Sequence, residues 1–362
     1  MISPPAKGRS LYLDFLRTLA CFFVIVNHTN SDVFQAASPG GFTWLCSVTW
    51  YYLSKTAIPL FVMVSGACLL PKTDSYHRSF QRFLRMLLVL VLFSYVYYLY
   101  DLLLAGESFL QSLNFQRFFT GIWEKRITDS FWYLYFYLGL LLMLPLLQRL
   151  SKSMSKPDYL YLLGLSLGLN ALWPLLVHYL PALALPAYFS FPLFNIFIGL
   201  FFAGSFFHQY LSHSRRQSCF CGLTLILSLL FSTAVTLLEA HKTPHGGKYW
   251  FMDERTAPAL PVVLCAASLF LLTRRLFTCL EERPQKISPR ASALVTTLGS
   301  CSFGVFLLQD MLISATLYRF FLPLWNHMNP FPAALLWEVL IFAVLVPVVW
   351  LLKKIPGLKN LL

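Results

Sequence analysis

Residues 11–30 read LYLDFLRTLACFFVIVNHTN. Twenty mostly apolar residues make a helix about 30 Å long, the thickness of a bilayer's hydrocarbon core. The rest of the chain has the same character. Of 362 residues, 57% are hydrophobic and 12% are charged, against roughly 25% charged in soluble domains. So little charge cannot cover a water-soluble fold of this size. Aromatic residues reach 17% and no repeat is present, which excludes disorder and collagen. The eight cysteines are scattered, and Cys21, Cys68, Cys221, Cys265 and Cys301 lie inside apolar runs. They read as small core residues rather than a disulfide framework. The sequence specifies an all-α polytopic integral membrane protein, one membrane-embedded domain over 1–362 without a separate soluble domain.

Working outward from residues 11–30, nine more candidate spans follow: 44–70, 84–105, 130–149, 159–180, 189–210, 218–238, 257–277, 293–318 and 331–352. The second and ninth are long enough to tilt or to contain a break. Pro59 lies in the second, and Gly299 and Gly304 lie in the ninth. The first is not read as a cleavable signal peptide. It holds Asp14 and Arg17 and leads into a polar loop with no small-residue cleavage site. Threading ten spans with a cytoplasmic N-terminus puts 19 of the 28 Lys and Arg inside and seven outside. That asymmetry predicts both termini in the cytoplasm. Trp44, Trp173, Trp250 and Trp325 then fall at outer helix ends, as an interfacial belt. The net charge of +13 follows largely from topology. It calls for no nucleic-acid partner, while membrane lipid or an anionic cofactor is favoured at the inner face. Gly164 and Gly168 form a GxxxG pair in the fifth span, read as close helix packing. The largest loops, 106–129 and 239–256, are external and short, so function must sit among the helices or at their mouths.

An ionisable group inside a span is costly and therefore a functional candidate. Asp14, Arg17, His28, Lys55 and Glu338 qualify; Asp310 is ambiguous; Asp101, His178 and His208 lie near span ends, where snorkelling explains them. Arg17 and His28 are eleven residues apart, which on a helix brings them to within about 20° of one face and about 16 Å apart along the axis. Asp14, three residues before Arg17, can pair with it. The first span thus carries an anion anchor at one depth and a base at another. The plain alternative is a buried ion pair beside an unrelated histidine. Arg82 and Arg85 open the third span at the inner face. Arginines at i and i+3 can grip phosphates with forked donors, although positive-inside charge alone also puts arginines there.

Leu13-Asp14-Phe15-Leu16-Arg17 through His28-Thr29 resembles the opening of acyltransferase family 3 membrane proteins, with their Arg-x10-His first span. Arg82-x-x-Arg85 is similar to that family's Arg-x-x-Arg. Pro59 to Gly66, Phe131 to Tyr135 with Leu138-Gly139-Leu140, and Ser302-Phe303-Gly304-Val305-Phe306 resemble further family signatures. Among subgroups the chain looks most like the short enzymes that O-acetylate enterobacterial common antigen. It departs where many relatives carry Tyr-x-x-His in the ninth span; here the residues are Phe306-Leu307-Leu308-Gln309, and Gln309 receives no catalytic role. Thr18 also replaces the usual small residue after the arginine.

The resemblance implies transfer of an acyl group, commonly acetyl, from cytoplasmic acyl-coenzyme A to a hydroxyl of an envelope glycan or an undecaprenyl-linked sugar in a bacterial inner membrane. Acetyl-CoA is then the cosubstrate, and no metal is needed. Arg17, Arg82 and Arg85 would hold its phosphates. Its thin arm would thread upward to His28, whose neutral imidazole suits a general base. Lys55, Ser65, Asn27 and Thr29 are candidate donors to the oxyanion. Glu338 would orient His28 or neutralise Lys55. Trp132, Tyr133, Tyr135 and Tyr137 could stack on a sugar or equally serve as interfacial aromatics. An acyl-histidine route is the alternative to direct transfer. From other classes, a transporter or flippase for a glycan lipid or organic anion would also need buried charge, and a non-catalytic assembly protein is a third reading. Oligomeric state, including a homo-oligomer, stays open. His241-x3-His245 is a poor metal site because Pro244 interrupts it, and Cys219-x-Cys221 has the wrong spacing for zinc.

Overall fold

The computed structural model describes residues 10–107, 114–124, 127–186, 195–211, 214–242, 259–282 and 287–362. Its helices are α1 (Leu11–Ala36), α2 (Phe42–Ser54), α3 (Ala57–Leu69), α4 (Tyr76–Leu104), α5 (Phe115–Glu124), α6 (Trp132–Ser153), α7 (Lys156–Leu167), α8 (Trp173–Tyr179), α9 (Ile196–Tyr210), α10 (Arg215–Lys242), α11 (Leu260–Glu281), α12 (Pro289–Thr316), α13 (Leu322–Trp325) and α14 (Pro330–Leu352). No strand occurs among the described residues. Among the described residues, nine helical stretches are long and apolar enough to cross a membrane, and α9 is a tenth, shorter apolar helix. The chain is a multi-pass membrane protein. The sixth expected span begins at 189, outside the described residues, as do Trp250 and His245.

Helix starts are written locally. Ser75, Asn195, Ser288 and Asn329 each accept a backbone N–H at the head of α4, α9, α12 and α14. Ser155 and Asp158 form a capping box on α7. These polar caps satisfy donors that the helix itself leaves unpaired. Interruptions are equally local. The second span breaks at Lys55–Thr56, between α2 and α3. Pro59 lacks the N–H that would bond the Lys55 carbonyl, and its ring crowds that carbonyl. Widened turns at Gly168–Leu172 and Leu317–Phe321 likewise precede Pro174 and Pro323.

The ninth span does not break at its glycines. α12 runs straight through Gly299 and Gly304 and loosens only at 317–321. Those glycines admit neighbours instead. A Cβ on Gly299 would lie 2.6 Å from the Asp14 Cβ. Gly164 and Gly168 correct the packing expectation in the other direction: among the described residues, no other group lies within 4 Å of where a Cβ on either would stand. The close crossing is made elsewhere, between α3 and α9, where Gly66 and Gly204 each face a backbone carbonyl of the other helix. Trp44 is fully buried within the protein, in a cluster with Phe34, Val48 and Tyr51, rather than exposed on its surface. In the 106–129 segment, α5 is a short amphipathic helix. It seats Phe118 on Tyr95 and Tyr98 and leaves Phe115, Phe119 and Trp123 exposed.

α1 is the axis of the bundle. It packs against α2, α3, α11, α12 and α14, while α4 packs on α6. This centrality surrounds the polar groups of α1 with protein rather than lipid.

Candidate functional site

His28 lies at the far end of α1, half-buried. Its Nε2 is 3.1 Å from the Ser130 hydroxyl, in the tight turn Asp129–Phe131 that opens α6. That turn is pinned to α12: Thr128 donates to Asp310 Oδ2 at 2.9 Å. Phe131 meets the Tyr97 ring at 5.3 Å, and the Tyr97 hydroxyl donates to the Leu307 carbonyl. The ambiguous Asp310 therefore holds the loop that meets the imidazole.

Glu338 is fully buried beside the same end of α1. Its Oε1 accepts from Thr29 at 3.1 Å and its Oε2 from Trp50 Nε1 at 3.0 Å. No described hydrogen bond joins it to His28 or to Lys55. Both carboxylate oxygens are hydrogen-bonded, one to α1 and one to α2. Lys55 sits at the α2–α3 break with its Nζ 4.8 Å above the Tyr51 ring. Asn27 donates to Ser54 at 3.4 Å.

About one-quarter of the way along α1, Arg17 donates to Asp14 at 3.0 Å and approaches Cys68 Sγ at 3.1 Å. Asp14 is fully buried where Gly299 lets α12 come close. Ser65 and Arg17 lie near both the Tyr133 and Tyr137 phenols. Tyr133 and Tyr137 stack at 5.9 Å. Trp132 is packed against Phe197 and Tyr133 rather than presented as an open platform.

The opposite end is a charged knot around Asp74. The carboxylate, almost fully buried, pairs with Arg82 and lies 3.5 Å from Arg78. Gln148 Nε2 donates to Asp74 Oδ2 at 3.0 Å and to the Leu69 carbonyl at 2.9 Å, while its Oε1 accepts the Asp74 N–H at 2.9 Å. Burial raises the Asp74 pKa, but the Gln148 hydrogen bond and the Arg82 charge outweigh it and hold the carboxyl below its ordinary value. The knot therefore stabilises the fold fully above the ordinary aspartate pKa. Its contribution is lost as pH falls through the depressed folded-state value. Asp74→Asn should flatten that acid limb in a thermal-melt series from pH 6 to pH 3. A wild-type melting temperature indifferent to that descent would contradict the assignment. Arg82 is only about one-quarter exposed and partly committed, whereas Arg85 is exposed. The two arginines of the pair thus differ: Arg82 is held by Asp74 and Arg85 is exposed.

α6 connects these stations. Ser130, Tyr133, Tyr137 and Gln148 are spaced by 3, 4 and 11 residues, which keeps them within about 60° of one face over about 27 Å. Along that face the partners run from His28, through Ser65 and Arg17, to Asp74 and Arg82. Helix α1 displays His28 and Arg17 in the same order. Two surface cavities of about 390 and 360 Å³ lie elsewhere, against Tyr76 and Phe80 and against Asn170 and Trp173; neither borders His28.

Sequence reasoning missed Asp74, Gln148 and Ser130. Asp74 lies outside the apolar runs, and Gln148 and Ser130 are uncharged, so a search for buried charge passes over them. The i, i+3, i+7, i+18 pattern on the fourth span was the signal that could have found the last two. Gln309, fully buried, was also set aside, yet neither atom of its amide has a hydrogen-bond partner among the described residues. Such a group costs about 1–3 kcal/mol when unmet.

Comparison with known proteins adds one finding. The model of acyltransferase family 3, described as an acyltransferase domain, matches residues 10–354. No curated protein and no solved structure matches the chain.

Proposed function

The chain belongs to acyltransferase family 3, and on that premise we propose that this membrane acyltransferase moves an acyl group, acetyl in the simplest case, from acyl-CoA to a hydroxyl of an envelope glycan or its lipid-linked precursor. The observation that carries the reading is the polar face of α6, with cations at one end and an imidazole at the other. Coenzyme A is a polyanion with a long, weakly polar arm. Arg85 and the free edge of Arg82 suit its phosphates. Ser65, Tyr137 and Arg17 suit the amides of the arm, which leads the thioester toward His28. The Lys and Arg asymmetry supports cytoplasmic termini and donor entry from the cytoplasm, and the resemblance to enterobacterial enzymes supports a bacterial inner membrane. The resemblance to the short enzymes acting on enterobacterial common antigen supports a glycan acceptor.

In the tautomer this mechanism requires, His28 Nε2–H donates to Ser130 and Nδ1 keeps the lone pair that receives the acceptor's proton. The hydroxyl oxygen bonds to the thioester carbon, whose π pair moves onto its oxygen. On collapse the C–S bond breaks, and the sulfur takes the proton from the imidazolium. An already activated thioester needs only one base, which favours direct transfer over an acyl-enzyme.

Titration of the detergent-purified protein with acetyl-CoA tests the donor. Wild type should bind saturably. Arg82→Ala/Arg85→Ala should weaken binding by at least about tenfold, as for loss of charge-assisted hydrogen bonds. Absence of saturable binding by wild type would overturn the donor assignment and favour a carrier or an assembly protein.

A further inference from the structure

Gln309 stands on the α1-facing stripe of α12. Ser302, Phe306, Gln309 and Ile313 recur at helical spacing. On that stripe the Ser302 carbonyl accepts from Cys21 Sγ at 3.1 Å, and Phe306 meets the Tyr133 ring at 5.9 Å. One turn below, Gly299 abuts Asp14. Helices α1 and α12 therefore run parallel. Carrying the Asp14–Gly299 and Cys21–Ser302 pairings upward sets Gln309 level with Val24 to His28. Asp310, the next residue, anchors the turn whose Ser130 touches His28. An amide fully enclosed at the imidazole's depth, with both its nitrogen and its oxygen unbonded among the described residues, is built for a partner that arrives with the reaction.

We propose that Gln309 is a catalytic residue that binds the reacting acyl group: its Nε2 donates to the thioester carbonyl oxygen. This rests on the reading of His28 as the base. As the hydroxyl oxygen bonds to the acyl carbon, the carbonyl π pair becomes an oxyanion held by the Gln309 N–H, and the hydroxyl proton passes to His28. When the C–S bond breaks, that pair re-forms the carbonyl of the ester and the thiol leaves with the proton. A donor aimed at the oxyanion stabilises charge that exists only in the transition state, so it acts on kcat more than on donor binding.

Gln309→Leu separates this role from a structural one. Leucine nearly preserves volume and removes a buried unbonded amide, so the melting temperature should stay level or rise. Membrane vesicles holding each variant would be given acetyl-CoA labelled in the acetyl group, and base-labile label in the envelope glycan fraction measured. Gln309→Leu should lose about a hundredfold or more in kcat, with acetyl-CoA affinity within about threefold of wild type. Gln309→Asn should recover part of the rate. Undiminished transfer by Gln309→Leu, with His28→Ala inactive, would overturn this proposal alone. Transfer retained by both would overturn the His28 reading as well. A clear drop in melting temperature for Gln309→Leu would assign the amide to the fold and also overturn the proposal. No transfer by wild type would overturn the donor assignment and this inference with it.

Discussion

His28→Ala is expected to remove acyl transfer, by about a hundredfold to ten-thousandfold, the span typical of a positioned general base. The protein should still accumulate in the membrane. The ring is half-buried and gives up one described hydrogen bond, to Ser130 at 3.1 Å. Its loss therefore touches stability little and chemistry greatly. Acetyl esters on the envelope glycan, compared by mass spectrometry at matched protein levels, report the effect. Retained acetylation would displace His28 from the base role. Ser130→Ala is a weaker counterpart: the imidazole remains, but its tautomer is no longer selected, so the rate should fall by a smaller factor than for His28→Ala.

The second large effect concerns the fold. Gly66→Ala would place a Cβ 1.8 Å from the Phe201 carbonyl oxygen and 2.7 Å from its carbon. The obstacle is backbone, which cannot rotate aside, and Gly204 meets the Met63 carbonyl in the same way. Overpacking typically costs about 1–3 kcal/mol and occasionally more; this contact belongs at or above the upper end. Ser65, one residue away, would shift from Tyr133 and Tyr137, so activity should fall along with the yield of folded protein. Gly164→Ala is the internal comparison. Among the described residues, no other group lies within 4 Å of where its Cβ would stand, and alanine in a helix is favoured over glycine by roughly 0.8–1 kcal/mol. Melting temperatures of the two purified variants should move in opposite directions. A Gly66→Ala protein that melts like wild type would contradict the described α3–α9 crossing.

The contrast between these glycines shows where sequence reading stops. Span count and the break near Pro59 were legible, because length, hydropathy and a missing N–H act locally. Gly164 and Gly168 matched a packing motif and do not pack; Gly66 and Gly204 do, although they lie 138 residues apart. Which glycine meets which helix is a tertiary fact that no spacing within one span encodes. The site divides in the same way. Arg17 and His28 on one helical face could be read from eleven residues of separation. Glu338 was legible as a buried charge, but its partners, Thr29 and Trp50, belong to α1 and α2. Asp74 escaped because it lies in a loop, and only the fold brings Arg78, Arg82 and Gln148 around it. Trp44 looked interfacial from its position at a span end, yet it is fully buried in a cluster with Phe34 and Tyr51.

The central claim is that one face of α6 guides a thioester donor from the arginines to the imidazole. Structure determination with a non-reactive thioether analogue of acetyl-CoA tests it most directly. The account predicts phosphate density at Arg82 and Arg85, an arm passing Ser65 and Tyr137, and the acyl carbonyl in contact with His28 and Gln309. An analogue bound with its phosphates away from those arginines, or with its acyl end stopping short of His28, would contradict it.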